Sequence, residues 1–158
     1  MTNQFDFTND EWEALSAAPV LVGVAMARAA DSGRFGSYRE SRAVMAALEP
    51  DVTGSPAADL IRAAAAADVT ELIERLTVGD TIGPEAWAEL AVTACAEAAD
   101  ALIARALPEE ATGFTTWLLA VANDVANAAK EGGVRISPPE ADLLRRLAAA
   151  LRLDVASD

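Results

Sequence analysis

Between Pro84 and about Leu107, the residues Trp87, Leu90, Ala91, Ala94, Ala98 and Leu102 recur at three- and four-residue spacing. That rhythm sets them on one face of an α-helix and suits no strand. It returns after Pro108, on a segment that passes Gly113 and continues to Lys130, where Leu118, Val121, Ala122 and Val125 form the inward stripe. It returns again after Pro138, with Leu143, Leu144, Leu147 and Leu151 on one side and Arg145-Arg146 on the other. About a quarter of the chain is alanine, which loses no side-chain entropy on folding and lets helices approach closely. No stretch alternates apolar and polar residues between turns. The expected fold is all-α: one domain over residues 1–158, a helical bundle of about seven helices. A chain of 158 residues buries a core without disulfide or metal staples.

The helix boundaries are marked by caps, glycines and prolines. Thr8 followed by Glu11 reads as a capping box that opens a short helix carrying Trp12 and Leu15. Pro19 then reads as the first residue of a second helix, apolar almost all round through "VLVGVAMARAA" and stopped at Gly33. Ser37 with Glu40 makes another capping box before Val44, Met45 and Leu48, and Pro50 ends that helix. After the loop "EPDVTGSP", Ser55-Pro56 restarts a helix through Leu60, Ile61 and Ala63 to Ala67. Asp68 and Glu71 either cap a separate helix with Leu72, Ile73 and Leu76 or mark a bend; "TVGDTIGP" is the next loop.

Charge and missing residue types narrow the function classes. The balance is −13, from 25 acidic and 12 basic residues, and such a surface repels phosphate backbones and anionic lipid. Neither nucleic acid nor a membrane is an expected partner. The chain has no histidine, which removes histidine triads and histidine metal sites. Cys95 is the only cysteine, so it has no disulfide partner within the chain and reads as a small core residue. The longest apolar stretch, Ala17 to Ala27, is too short to span a bilayer. The amino-terminal stretch shows no signal pattern, so a cytoplasmic protein is expected. Gly132-Gly133 has no preceding strand and no lysine-serine pair, so it reads as a helix stop, and no cofactor is specified.

Two corners share a pattern. "AADSGRFGSYRESRAVMAAL" (Ala29 to Leu48) and "AAKEGGVRISPPEADLLRRLAAAL" (Ala128 to Leu151) each run from alanines through polar residues and glycine to a serine with glutamate three later. One reading is a duplicated helix hairpin, with residues 20–48 and 118–151 related by a pseudo-twofold axis. The other is convergence, because any helix corner wants a glycine stop and a serine start. At these residues, about two fifths of the chain, the sequence resembles the tellurite-resistance TerB-like family of small α-helical proteins. Lys130-Glu131 stands where that family has aspartate. The resemblance implies a non-catalytic helical protein acting in stress response or metal handling, through binding or protein contacts. It directs attention to Asp31, Glu40, Glu131 and Glu140 as ligands of a divalent cation, which needs several converging oxygens. Capping alone also accounts for Glu40 and Glu140, and solvated loop charge for Asp31 and Glu131.

A second function class stays open: a small-molecule-binding protein or cofactor-free enzyme, with an apolar pocket and an Asp/Glu acid-base group. Trp117, Asp124 and Glu131 recur at seven-residue intervals with Asn123 and Asn127 beside them, so Trp117, Asp124 and Asn127 are its candidate site for a small apolar molecule. A carboxylate beside an apolar wall can serve as acid or base. The wet side of an amphipathic helix has the same appearance. Trp12, Trp87 and Trp117 suit either a pocket wall, the core or the interface of a homo-oligomer.

If Asp31, Glu40, Glu131 and Glu140 hold a cation, millimolar calcium or magnesium raises Tm by several degrees over a chelator control at matched ionic strength. At a hundred times its Kd, a cation bound only by the folded chain adds about 2.7 kcal/mol. Asp31→Asn and Glu131→Gln abolish that rise. No shift beyond the ionic-strength control leaves Arg34 and Arg135 to neutralise the corners.

Overall fold

The computed structural model describes residues 1–29, 44–77, 83–128 and 136–153. Both corner loops carrying Asp31, Glu40 and Glu131 lie outside the described residues, as do Ser37, Arg34 and Arg135. The pseudo-twofold relation between the two hairpins therefore falls outside them too.

Six α-helices carry the described fold, and it contains no strand. They are α1 (Asn9–Ala29), α2 (Ala58–Ala66), α3 (Thr70–Thr77), α4 (Pro84–Arg105), α5 (Pro108–Ala128) and α6 (Pro138–Ala150). A 3-10 turn, Gln4–Asp6, precedes α1, and residues 44–47 are helical as well. Asp68 and Glu71 thus mark the start of a separate helix rather than a bend. The Asp68 carboxylate accepts the Thr70 N–H at 3.0 Å, holding the start of α3.

The caps fall where the residue types require. At Thr8 the backbone N–H donates to Glu11 Oε2 at 2.8 Å, and the Glu11 N–H donates to Thr8 Oγ1 at 3.2 Å. Ser137 and Glu140 repeat the box, with the Ser137 N–H 2.7 Å from Glu140 Oε2. Each such cap satisfies amide donors the first helical turn leaves unpaired, worth about 1 kcal/mol.

The amino-terminal region differs from its sequence reading in one respect. No boundary occurs at Pro19: α1 runs unbroken through it for 21 residues. Proline lacks the N–H that would bond the Leu15 carbonyl, a defect of about 3 kcal/mol in an isolated helix interior. Here Pro19 is fully buried at the end of an unbroken buried run that begins at Ala14, and Leu21 and Val22 beyond it are buried too, so packing on both sides of the proline outweighs the lost bond.

Helix α1 is the centre of the bundle. It packs against all five other labelled helices and most extensively against α4. The Glu11–Arg105 ion pair, 3.4 Å, joins the start of α1 to the end of α4 and sets the two antiparallel. Their shared face is small: Ala17, Ala18, Ala25, Ala91, Ala94, Cys95, Ala98 and Ala101 are all buried. Bulk is supplied by other positions of the same helices, Leu15, Leu21, Met26 and Leu102, and by Phe114 and Leu118 of α5. The stripe of Leu118, Val121, Ala122 and Val125 on α5 faces inward, as do Leu143, Leu147 and Leu151 at the carboxyl end.

Gly23 marks the closest approach on α1. A Cβ there would lie 2.8 Å from Val44 Cγ1, inside contact distance. Alanine favours a helix interior over glycine by about 1 kcal/mol, but overpacking costs about 1–3 kcal/mol. Gly23→Ala is therefore expected to lower stability in the wild-type background. In a Val44→Ala background the same change becomes neutral or stabilising. Urea denaturation of the four proteins measures the coupling; equal effects in both backgrounds would rule out the Gly23–Val44 contact as its source.

Candidate functional site

The outer side of the α1–α4 pair is an open groove of about 1150 Å³. Its floor is built from small residues on facing helices: Ala14, Ala17 and Leu21 from α1, and Ala86, Leu90, Thr93, Ala94, Ala101 and Ala104 from α4. Positions 14, 17 and 21 share one face of α1, and 86, 90, 93, 94, 101 and 104 share one face of α4, by helical spacing. Leu72 of α3 closes one flank.

Carboxylates stand along this floor. Asp10, Glu11 and Glu13 come from the first turns of α1, and Glu89, Glu97 and Asp100 from α4. No arginine or lysine lines the groove; the arginines reach it from outside. Arg75 of α3 pairs with Glu13 at 3.5 Å, and Arg105 with Glu11. Arg146 of α6 bridges Glu85, at 3.2 Å, and Glu89, and Arg152 pairs with Asp100. Asp10 and Glu97 have no ion pair among the described residues. The Thr8 backbone N–H, and after it Arg105, hold the Glu11 carboxyl below its ordinary value despite some desolvation.

Most of these pairs are wet. The Glu13, Glu89 and Asp100 side chains are 50%, 62% and 64% exposed. Exposed pairs of this kind contribute about 0–1 kcal/mol each, so an incoming cation can replace an arginine at little cost.

The other candidate residues lie elsewhere. Trp117 is buried against Phe114 in an edge-to-face contact, with ring centroids 5.5 Å apart and planes at 76°. Asp124 and Asn127 are exposed on α5, and neither lines the groove. Trp12 packs at a tilt beside Phe7, ring centroids 6.2 Å apart, and Trp87 is half-buried against the core. Of the four acidic corner residues only Glu140 is described. It is buried, its Oε2 is taken by Ser137, and its Oε1 has no hydrogen-bond partner. Among the described residues no three acidic or cysteine side chains gather as metal ligands. Cys95 is fully buried, and desolvation pushes its thiol up to about 12, so no thiolate forms near neutrality. No described helix is long and apolar enough to cross a membrane.

One further buried carboxylate escaped the sequence reading. Glu110, in the first turn of α5, accepts the Thr2 N–H at 3.0 Å and the Leu107 N–H at 3.2 Å. It also accepts the Thr2 hydroxyl. Burial raises its pKa, but the Thr2 side-chain and backbone bonds, the Leu107 amide and the terminal ammonium outweigh that and leave it lowered. The residue ties the amino terminus to α5, across 108 positions. Its only sequence signal is an acidic residue in the turn after Pro108, a cap position that says nothing about the distant Thr2.

Comparison of the chain with known protein families, curated proteins and solved structures finds no match.

A carboxylate with a lowered folded pKa contributes stability above its unfolded pKa, near 4.3 for glutamate, and loses it as pH falls through the folded value. Wild type should therefore exceed Glu110→Gln in stability at neutral pH, with the gap narrowing below about pH 4.3. Urea midpoints at pH 7, 5 and 3.5 measure this. A gap that stays constant or widens on acidification would show that the ionised Thr2–Glu110 tether is not its source.

Proposed function

We propose that this chain is a non-catalytic helical protein of the TerB-like kind that acts in stress response through protein contacts. The α1–α4 groove is its contact surface. The observation that carries this reading is the groove's form: an open, small-residue floor between two long helices with carboxylates along it. At about 1150 Å³ it exceeds the ~300–1,000 Å³ of ordinary small-molecule pockets and lacks their enclosure. Nothing in its lining resembles a reaction centre. Its carboxylates sit at the solvent edge or beside arginines, and the buried thiol lies outside it. The acid-base reading, in contrast, rests on Asp124, an exposed residue of α5 beyond the groove.

A photo-crosslinking amino acid at Thr93, an exposed groove residue, compared with one at Thr116, an exposed α5 residue, tests the assignment in living cells. Discrete polypeptide adducts are expected from Thr93 and not from Thr116. Equal labelling from both sites, or none from Thr93, would remove the groove as a protein-contact surface.

A further inference from the structure

We infer that the occupant of the α1–α4 groove is a cationic amphipathic helix supplied by a protein partner. This rests on the groove being a protein-contact surface and names the chemistry of what it takes.

Three features of the groove specify that occupant. The first is shape. From Ala86 to Ala104 the α4 wall runs about 27 Å at 1.5 Å per residue, the length of a helix of about 18 residues. Two antiparallel helices present a valley that a third helix enters by the same ridge-and-groove packing that joins the pair.

The second is the floor. Ala17, Ala94 and Ala101 are buried yet end at Cβ, and Leu72 and Leu90 stand half-buried at the edges. A surface of this sort accepts bulky side chains from outside, at the i, i+3, i+4 and i+7 positions that anchor helix-in-groove recognition.

The third is charge. Six carboxylates line the groove without a single basic residue among them. Asp10 and Glu97 have no ion pair among the described residues, and four others hold exchangeable pairs with flanking arginines. Lysines or arginines flanking an apolar ridge match this arrangement, and they speed encounter with a chain of net charge −13. A second copy does not match: its own groove would bring carboxylates against carboxylates.

The full-length chain is titrated into a fluorescently labelled peptide of about 18 residues, the helix length that spans the ~27 Å α4 wall. The peptide carries leucine at helical spacing with flanking lysines and arginines. The controls are a scrambled peptide of identical composition and a version with glutamate in place of the basic residues. Anisotropy should show saturable binding that weakens with salt and is at least tenfold weaker for both controls. Asp10→Asn with Glu97→Gln should lower affinity several-fold, and Thr93→Arg at least tenfold, while circular dichroism shows unchanged helicity.

Equal binding of the scrambled peptide would reduce the effect to bulk charge and overturn the proposal. So would indifference to the groove variants, or a concentration-dependent dimer in sedimentation that Thr93→Arg abolishes. If Thr93 crosslinks to polypeptide in cells while the cationic peptide fails to bind, the groove keeps its role and only the proposed occupant falls. If both fail, the reading beneath it falls as well.

Discussion

The close packing of α1 on α4 is the contact on which the rest of this protein depends. Side chains at that seam are alanine, with Cys95 among them, so the backbones can approach toward the short end of the ~8–10 Å interaxial range. Alanine gives little hydrophobic free energy per residue, and the seam needs length to compensate. The two helices supply it, at 21 and 22 residues. Larger groups then seal the inner side: Leu15, Met26, Leu102, Phe114 and Leu118 are each fully buried. The same small residues cannot fill the outer side. The groove is the necessary counterpart of an alanine seam.

Several ion pairs cross between helices beside that seam. Helices α3 and α6 flank the pair, and each sends arginine toward the carboxylates of the groove: Arg75 to Glu13, and Arg146 to Glu89. Arg152, just beyond α6, reaches Asp100. These pairs are too exposed to add much stability. Their effect is local neutralisation, which leaves the acidic excess at Asp10 and Glu97, at opposite sides of the floor. A surface that holds its own cations loosely and presents unpaired carboxylates is prepared to exchange them for another molecule's.

Several parts of this architecture were legible residue by residue. Helical spacing put Ala91, Ala94, Ala98 and Leu102 on one buried face, and all four are buried. The Thr8–Glu11 and Ser137–Glu140 boxes are read from pairs three residues apart, and both form, because a cap is a contact within one turn. Pro19 was read as a boundary because the local rule against interior proline is strong. It failed where burial on both sides of the helix was stronger. From sequence, Trp117 suited a pocket wall, the core or an interface alike. Its partner is Phe114, three residues away on the same helix, and together they face the core.

The sequence alone determined that this chain forms helices, where most of them begin, which face of the long ones is buried, and that its surface is acidic. Each of those follows from spacing within a turn or two, from cap chemistry, or from summed charge. Only the tertiary structure decided that α1 passes through Pro19, and that Thr2 is held by Glu110. It alone brought the carboxylates of residues 10–13 beside those of residues 89–100 along one alanine floor. Those outcomes depend on which helices lie side by side. That choice is made by packing summed over the whole core, and no local pattern encodes it.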